Sequence, residues 1–340
     1  MQQLRGEPLV EVTRGDLVES IHDVAACALR ADGEILLAVG DIEAPVYLRS
    51  SAKPFIAAAA IAAGARDAYR LEQREIAVMA ASHSGEPFHI EAVRSILRKI
   101  GLDESALQCG AHLPYNEAAA AAMQRRGEMP TAVYNNCSGK HAGILALCKL
   151  IGADITTYMA PANPAQVQIL ALCARLSDDN AAMWPIGIDG CGIPVYATPL
   201  RNAALSFARF ASFEGVTESD ATALRIVRDA MIAYPEYVSG TGEFDAALMR
   251  AGRGNIACKV GAEGVHGVSA IEQGIGFVSK VIDGTSRARS PISVEALATL
   301  GVLDAEQAAE LAPFGNPVLY NRAGTRVGEI RPRSLAPSPK

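Results

Sequence analysis

The sequence predicts an α+β protein in which strands from both ends of the chain form one antiparallel sheet flanked by helices. Two observations support this prediction. Short apolar runs lie before residue 50 and after residue 254, and the segment between them carries helical periodicity. A largely helical lobe is therefore expected between the two groups of strands. We expect residues 1–340 to act as a single catalytic unit, with about 1–50 and 254–331 in the sheet region, 51–253 mostly helical and 332–340 as a flexible tail.

The predicted strands are apolar runs bounded by turn residues. The first hairpin turns at Asp32-Gly33, a dipeptide that is typical of tight turns between strands. Glycines separate the runs near the end of the chain, and Ala323-Gly324 separates the last two. The predicted strands cover residues 9–12, 22–29, 34–39, 256–260, 265–271, 275–281, 318–321 and 326–330.

The predicted helices occupy the middle of the chain, and prolines between Pro161 and Pro199 mark loops among them. The helices cover residues 54–63, 74–81, 89–100, 117–126, 143–152, 165–176 and 222–233. A cleft between the sheet and the helical lobe would be the usual place for a small-molecule site.

Composition excludes several classes of protein. The 340 residues carry 31 Lys and Arg against 37 Asp and Glu, a net charge of −6, which argues against a general nucleic-acid binder. Half of the residues are hydrophobic, so the chain is not disordered by composition. No apolar run reaches the ~18 residues that a spanning helix needs, and the first residues do not resemble a signal peptide. We therefore expect a cytoplasmic protein that does not bind membranes.

Seven cysteines are scattered through the chain, and none forms a C-x-x-C pair. An odd number without an export signal favours reduced thiols over a disulfide framework. The spacing also excludes zinc ribbons and thioredoxin-type redox motifs.

A Ser-x-x-Lys motif, formed by Ser50 and Lys53, is the first candidate for catalysis. The spacing places both side chains on one helix face, and Pro54 fits the first turn of a helix. The positive end of the helix dipole would stabilise negative charge that develops on the serine. A neutral lysine one turn away can accept the serine proton, as in serine acyl-transfer enzymes. The alternative is a helix N-cap serine followed by a solvated lysine.

Two further segments carry candidate catalytic groups. Lys259 ends a predicted strand and could lie beside the serine, as a Lys-Thr-Gly strand does in serine β-lactamases. Val260 stands at the hydroxyl position of that motif, so the layout agrees and the particular chemistry differs. Ser82 lies in residues 81–86 (ASHSGE), where it could be a second hydroxyl near the nucleophile. The alternatives are an ion pair of Lys259 at a sheet edge and serines that cap a helix end.

Residues 134–143 (YNNCSGKHAG) enter a helix and contain Cys137, Lys140 and His141 at helical spacing. The segment does not satisfy the Gly-x4-Gly-Lys-[Ser/Thr] pattern, so a nucleotide site is excluded. Cys137 and His141 have the spacing of two metal ligands, but two ligands do not complete a zinc site. Residues 189–192 (DGCG) are the best source of further ligands. The alternative is that each cysteine is a small buried apolar residue.

Five motifs, taken in order, give the chain a specific resemblance. They are LRSSAKP at 48–54, ASHSGE at 81–86, NCSGKHAG at 136–143, DGCGIP at 189–194 and KVGAEG at 259–264. Together they resemble the asparaginase II family, the rhizobial, thermolabile and inducible type of L-asparaginase. The resemblance implies a fold like those of serine β-lactamases and bacterial glutaminases, hydrolysis of L-asparagine to L-aspartate and ammonia, and a homodimer.

The resemblance also implies two Ser-Lys pairs in one pocket, Ser50 with Lys53 and Ser82 with Lys259. We favour Ser50 as the nucleophile because it combines an adjacent lysine with a helix N-terminus, and Ser82 is the rival. The serine would attack the amide carbon of asparagine, and its lysine would pass the proton to the departing ammonia.

A zinc ion is a further implication of the resemblance. By motif its ligands match Cys137, Cys191 and Lys140, with water completing the shell. Zinc binding requires a neutral lysine amine, so we expect a labile zinc whose affinity falls as the pH falls.

An amino-acid substrate needs one partner of each sign. Arg49 and Asp189 are the candidates for its carboxylate and its amine, and His141 and Asn136 are further substrate-binding candidates. The alternatives are an exposed ion pair for Arg49 and a turn position for Asp189. Other functions stay open: a glutaminase or a β-lactam-reactive hydrolase on the same scaffold, or a non-catalytic sensor of an amino acid or a metal.

Overall fold

The computed structural model describes residues 4–335. Within this range, helices fill the middle of the chain and most strands lie towards its two ends. The strands are β1 (Glu7–Arg14), β2 (Leu17–Arg30), β3 (Ile35–Val39), β4 (Pro45–Tyr47), β5 (Ile186–Ile188), β6 (Pro194–Pro199), β7 (Ile256–Val260), β8 (Val265–Ala270), β9 (Ile275–Val281), β10 (Val318–Tyr320) and β11 (Arg326–Pro332). The helices are α1 (Lys53–Ala62), α2 (Ala65–Tyr69), α3 (Gln73–Met79), α4 (Pro87–Lys99), α5 (Glu117–Arg125), α6 (Ser138–Ile151), α7 (Pro164–Ser177), α8 (Leu200–Ser212), α9 (Glu218–Ala233), α10 (Pro235–Val238), α11 (Phe244–Ala251), α12 (Arg289–Thr299), α13 (Ala305–Glu310) and α14 (Ala312–Gly315).

The chain divides into two compact units, each built from separate segments. The first unit holds the residues up to Ser51, Ala197–Gly215 and the residues from Ala247 onwards, and it contains most of the strands. The second unit holds Ala52–Tyr196 and Val216–Ala246 and is mainly helical. That the whole chain acts as a single catalytic unit stays a prediction.

An eight-stranded antiparallel sheet forms the first unit, in the order β10-β11-β1-β2-β9-β8-β7 with β3 beside β2. The long strand β2 joins the two ends of the chain, because it pairs with β1 on one side and with β9 on the other. β3 pairs with the second half of β2, beyond the residues that pair with β1. The prediction of one antiparallel sheet built from strands at both ends is therefore confirmed.

The centre of β2 shows that this sheet is covered on both faces. Side chains alternate between the two faces of a strand, yet every residue from Val24 to Ala28 is fully buried. α8 packs against β2, β8 and β9, and α12 packs against β1, β8, β9 and β11. The approach of α8 is close, because a Cβ at Gly276 would lie 2.1 Å from the Ala204 carbonyl oxygen. Glycine at this position in β9 permits the packing.

Helix α1 lies at the centre of the second unit. Its alanine-rich sequence buries nearly every side chain, and it packs against α3, α6, α7 and α9. Pro54 occupies its first turn, as predicted. α3 in turn packs against α4, α6 and α9. The candidate site residues Lys53, Ser82 and Cys137 lie at or just beyond the ends of these packed helices.

Several helices differ from the sequence prediction. α8, α12, α13 and α14 lie in segments for which the sequence analysis predicts no element. α6 begins at Ser138 and not at residue 143, although Gly139 and Gly143 have low helix propensity. Packing against α3 outweighs that propensity in its first turns. None of the helices within residues 4–335 has both the length and the hydrophobicity needed to cross a membrane.

The first residues of the segment predicted as a flexible tail, 332–340, are hydrogen-bonded to the sheet. β11 extends to Pro332, and the Arg333 N–H donates to the Leu9 carbonyl at 2.7 Å. Residues 336–340 of the predicted flexible tail lie outside the described residues.

A neutral histidine caps the N-terminus of α4. His89 Nδ1 accepts a hydrogen bond from the Glu86 N–H at 3.2 Å, and its Nε2 donates to the Glu236 carbonyl at 2.8 Å. Burial lowers the pKa of His89 from 6.5 to about 4, although the Glu236 carbonyl and the Glu86 carboxylate oppose this shift. The folded chain therefore keeps His89 neutral at a pH where the unfolded chain protonates it.

We expect the free energy of unfolding to fall as the pH drops from 6.5 towards about 4, by up to about 3 kcal/mol from His89 alone. The unfolded chain binds the proton first, so this contribution is fully present above pH 6.5 and is lost progressively below it. His89→Gln keeps an acceptor at the capping position without a titrating group. Chemical denaturation between about pH 7 and pH 4 should show a weaker pH dependence for this variant, and an identical dependence would contradict the prediction.

Candidate active site

In the second unit, Lys53 forms a hydrogen-bonded pair with Ser82. Lys53 is the first residue of α1, and its side chain is fully buried. Its Nζ donates to Ser82 Oγ at 2.9 Å and to the Ala81 carbonyl at 2.6 Å. The Ser82 N–H donates to the Val238 carbonyl, which fixes the serine backbone. A lysine amine at this distance can accept a proton from the serine hydroxyl.

Neutral His83 holds the segment that follows the serine. Its Nδ1 accepts from the Gly85 N–H at 3.2 Å, so Nε2 carries the proton and donates to Ser138 Oγ at 2.8 Å. Burial and nearby positive charges lower the pKa of His83 well below its usual range. The His83 N–H donates to the Asn136 carbonyl, and the Asn136 N–H donates to His112 Nε2. These contacts of Asn136, a predicted substrate-binding residue, are made by its backbone.

The start of α6 lies directly against the end of α3. A Cβ at Gly139 would lie 2.0 Å from the Val78 carbonyl oxygen, so glycine is required for this approach. A Cβ at Gly143, one turn later, would lie 2.9 Å from the end of the Met79 side chain. The contact brings the N-terminus of α6, with Cys137 as its N-cap, close to the segment that follows α3.

Four side chains of the second unit form what we name the thiol cluster: Cys137, Lys140, Asp189 and Cys191. The first two lie at the start of α6, and the other two lie in the turn between β5 and β6. Lys140 Nζ lies 3.0 Å from Cys191 Sγ and 3.7 Å from Asp189 Oδ2. The ligand atoms of Cys137, Asp189 and Cys191 all lie within 4.8 Å of one another. The structure thus places the three residues predicted as zinc ligands together, and sulfur, nitrogen and oxygen donors suit Zn²⁺.

The thiol cluster places a thiolate beside an ammonium. A hydrogen bond from the Cys191 thiol lowers the pKa of Cys137 well below its usual range, and the positive charges of Lys140 and Lys53 lower it further. The same hydrogen bond, together with burial, raises the pKa of Cys191 far above its usual range. Burial alone would lower the pKa of Lys140, but the negative charges of Cys137 and its neighbours raise it. The surroundings therefore favour the thiolate form of Cys137 and the ammonium form of Lys140.

Lys53 connects the serine to the thiol cluster. Besides its hydrogen bond to Ser82, it hydrogen-bonds Cys137, and this contact contributes to the lowered pKa of that thiol. One buried lysine therefore contacts both the Ser82 hydroxyl and the Cys137 sulfur, so Lys53 links the serine to the thiol cluster within the second unit.

His141 offers a buried donor. The Tyr158 hydroxyl accepts from the Gln108 N–H at 2.8 Å, so it donates its own proton to His141 Nδ1 at 2.7 Å. The His141 proton then lies on Nε2, which has no hydrogen-bond partner among the described residues. Burial lowers the pKa of His141 well below its usual range, so the ring stays neutral. A bound ligand could satisfy this N–H, in agreement with the predicted substrate-binding role.

In the first unit, Ser51 ties the residues around Ser50 to the end of β7. Ser51 Oγ donates to the Lys259 carbonyl at 2.9 Å. A Cβ at Gly261 would lie 2.8 Å from Ser51 Oγ. Arg49 adopts φ 51°, in the left-handed region that residues other than glycine rarely occupy. Such strained positions cluster at functional sites, so the conformation next to Ser50 agrees with a functional role for this segment.

Ser50 does not share an α-helix with Lys53. It lies in a short 3₁₀ helix, Arg49–Ala52, and α1 begins only at Lys53. The 3₁₀ helix runs directly into α1, and the placement of both side chains on one helix face stays a prediction. Pro54 is tolerated only in the first turn of a helix, which fixes where α1 can begin.

The four predicted catalytic residues divide between the units: the first holds Ser50 and Lys259, and the second holds Lys53 and Ser82. Lys259 is fully buried, and its Nζ donates to the Val260 carbonyl at 3.0 Å. The resemblance pairs Ser82 with Lys259, whereas the structure hydrogen-bonds Ser82 to Lys53. The pairings implied by the resemblance stay predictions.

Similarity to known proteins places the chain in a family. No curated protein sequence matches it significantly. Three crystal structures of a protein named Mglu, one in its native form in 4.3 M NaCl and one in its glutamate form, share 14% identity with it. These matches cover 82% of this chain and 67%, 60% and 61% of the Mglu chains, at TM-scores of 0.39, 0.38 and 0.38. The predicted family is confirmed, because the L-asparaginase II model matches residues 10–332, and the chain therefore belongs to the L-asparaginase II family.

Proposed function

We propose that this chain hydrolyses the side-chain amide of L-asparagine to give L-aspartate and ammonia, with Ser82 as the nucleophile and Lys53 as its base. Membership of the L-asparaginase II family supports an amidohydrolase. The observation that carries the choice of residues is the 2.9 Å hydrogen bond from the buried Lys53 Nζ to Ser82 Oγ. Ser50, which the sequence favours, is the alternative nucleophile.

The proposed reaction proceeds through an ester of Ser82. Lys53, which is positively charged beside Cys137, first releases a proton to solvent. Its neutral amine then accepts the hydroxyl proton as Ser82 Oγ attacks the amide carbon and the new C–O bond forms. The C–N bond then breaks, and Lys53 returns the proton to the nitrogen, which leaves as ammonia. A water molecule attacks the ester and passes a proton to Lys53. Aspartate is released as Ser82 Oγ takes that proton back.

Four residues are the proposed contacts of the substrate: Arg49, Asn136, Asp189 and His141. A guanidinium binds a carboxylate through two parallel hydrogen bonds, which suits Arg49 to the substrate carboxylate. The unpartnered Nε2 donor of His141 supports its part in this proposal. Asn136 is brought beside the serine segment by its backbone contact with His83.

We also propose that the thiol cluster binds zinc through Cys137, Lys140 and Cys191. The donor set fits the ion, because two sulfur atoms and a nitrogen atom from buried side chains lie close together. Bound zinc would supply a Lewis acid. The three residues would meanwhile tie the start of α6 to the turn between β5 and β6, and none of the steps above requires the ion.

We also propose an architecture like that of serine β-lactamases and glutaminases, which agrees with the antiparallel sheet and the mainly helical second unit. We further propose a homodimer, as the resemblance implies. A cytoplasmic location would agree with the free cysteines among the described residues.

Ammonia release from L-asparagine and from L-glutamine, measured side by side, tests the proposed function. Faster turnover of asparagine would support it, and faster turnover of glutamine would favour a glutaminase. Covalent acylation by penicillin, detected by mass spectrometry, would indicate a β-lactam-reactive hydrolase. Binding of asparagine without release of ammonia would indicate a sensor.

A further inference from the structure

We propose that Tyr158 is a positioning residue of the active site, which fixes His141 so that its Nε2 N–H donates to an oxygen atom of the substrate. This inference rests on the proposed function, because it requires His141 to contact the substrate. It goes beyond that function in two respects. It adds Tyr158 to the residues on which the reaction depends, and it names the kind of substrate atom that His141 binds.

The contacts of the Tyr158 hydroxyl decide where its proton goes. The Gln108 N–H donates to this hydroxyl at 2.8 Å, and an amide N–H cannot accept a proton in return. The second contact, at 2.7 Å, is with His141 Nδ1. Tyr158 is fully buried, and burial raises its pKa above the usual range, so the hydroxyl keeps its proton. Donation to Nδ1 therefore leaves no part of the hydroxyl unsatisfied, which would be costly in a buried site.

This hydrogen bond selects the tautomer of His141. A neutral imidazole that accepts at Nδ1 carries its proton on Nε2 and can only donate there. His141 is fully buried, and its Nε2 has no hydrogen-bond partner among the described residues. The carboxylate and amide oxygens of asparagine accept hydrogen bonds, whereas its ammonium group only donates. His141 is therefore suited to an oxygen atom of the substrate and not to its amine.

Three further contacts hold the tyrosine in place within the second unit. Gln166 Nε2 donates to the Tyr158 carbonyl at 2.7 Å, and Gln108 Nε2 donates to the Thr156 carbonyl at 3.1 Å. The rings of Tyr158 and His141 meet edge to face, with centroids 5.5 Å apart and planes at 88°. The hydroxyl is thus fixed relative to the imidazole. A supporting shell of this kind keeps a functional side chain in one orientation.

Nitrogen-15 NMR of the histidine rings tests the tautomer in the full chain without substrate. His141 Nδ1 should be the unprotonated nitrogen, and Tyr158→Phe should displace its resonance because the hydrogen bond from the hydroxyl is lost. His141→Gln identifies the two signals by their absence. Tyr69→Phe removes the hydroxyl of a half-buried tyrosine in the same unit and, as the matched control, should leave them unchanged. A protonated Nδ1 in the unmodified chain, or an unchanged Nδ1 resonance in folded Tyr158→Phe, would overturn the inference.

Kinetics test whether Tyr158 acts through His141. Tyr158→Phe is expected to lower kcat/KM for asparagine by about 5- to 30-fold, the effect of losing one hydrogen bond. Glutamine at position 141 keeps an N–H donor but has no ring for Tyr158 to orient. In the His141→Gln background, Tyr158→Phe should therefore change kcat/KM by less than about twofold. An equal loss in both backgrounds, or no loss in either, would show that Tyr158 does not position His141.

The two measurements separate this inference from the proposed function. If the unmodified chain releases no ammonia from asparagine, the proposed function falls and the substrate contact falls with it, whereas the tautomer of His141 is still decided by NMR. Circular dichroism checks the fold of each variant. If Tyr158→Phe does not fold, the unmodified chain alone decides: a proton on Nε2 supports the inference, and a proton on Nδ1 overturns it.

Discussion

Ser82→Ala is expected to lower the turnover number for L-asparagine by about 10⁴-fold or more. Without Ser82 Oγ no ester can form, so the remaining rate would come from binding and from water alone. The fold should persist, because the Lys53 amine keeps its hydrogen bond to the Ala81 carbonyl and the backbone of residue 82 keeps its own bond to Val238. Ammonia release measures the loss, and circular dichroism measures the fold.

Two variants give this prediction its controls. Ser105→Ala removes an exposed hydroxyl of the same unit and should keep the full rate. Ser50→Ala separates the two candidate nucleophiles. If Ser82→Ala stays active while Ser50→Ala is inactive, Ser50 is the nucleophile, as the sequence favours. Mass spectrometry after a rapid acid quench should locate an aspartyl ester on the peptide that contains Ser82.

The strands of the sheet are the part of the fold that the sequence predicts best. β7 and β9 lie at their predicted bounds, because each is an apolar run that begins and ends near glycine. α8 escapes prediction, because it follows Pro199 directly in a segment whose prolines indicate loops. Its position depends on contacts with β2, β8 and β9, which no local pattern contains. Tertiary packing of this kind outweighs local propensity.

The sequence predicts which residues belong to the candidate site, but it does not predict which of them are hydrogen-bonded to each other. Lys53 and Ser82 are 29 residues apart in the chain, and Lys140 and Cys191 are 51 apart. No periodic pattern relates residues so distant. The spacing alone indicates Cys137 and residues 189–192 as possible metal ligands, and only the resemblance to a family adds Lys140. The contact of Ser51 with Lys259 has no sequence signal, because a hydrogen bond from a serine to a distant carbonyl forms no motif.

Lys53→Met is expected to lower the turnover number by about 10³-fold, because methionine has a similar length and cannot accept a proton. The change should also cost stability, by about 1–3 kcal/mol for each partner left unsatisfied, because the Ala81 carbonyl and the Ser82 hydroxyl lose a buried hydrogen-bond partner. Chemical denaturation measures this loss, and ammonia release is compared under conditions where the variant is folded. Lys149→Met, at an exposed position on α6, is the matched control and should keep the full rate.

Lys53→Arg separates the role of a base from that of a positive charge. Arginine keeps the charge but stays protonated at any pH the chain tolerates, so it cannot accept the serine proton. We therefore expect this variant to be as inactive as Lys53→Met. A largely active Lys53→Arg beside an inactive Lys53→Met would show that Lys53 acts through its charge, and the assignment as a base would be wrong.

Loss of the lysine should also be visible without any substrate. Lys53 lowers the pKa of Cys137 through a hydrogen bond and through its charge, so Lys53→Met should raise that pKa. Thiolate absorbance of the metal-free chain, followed against pH, measures the change, and Lys53→Arg should retain part of the original shift because it keeps the charge. If the Cys137 titration is unchanged while activity is lost, Lys53 serves Ser82 alone, and the hydrolytic chemistry is separate from the metal site. If both change together, one buried lysine couples the serine to the thiol cluster, and occupancy of that cluster should alter the protonation of the base.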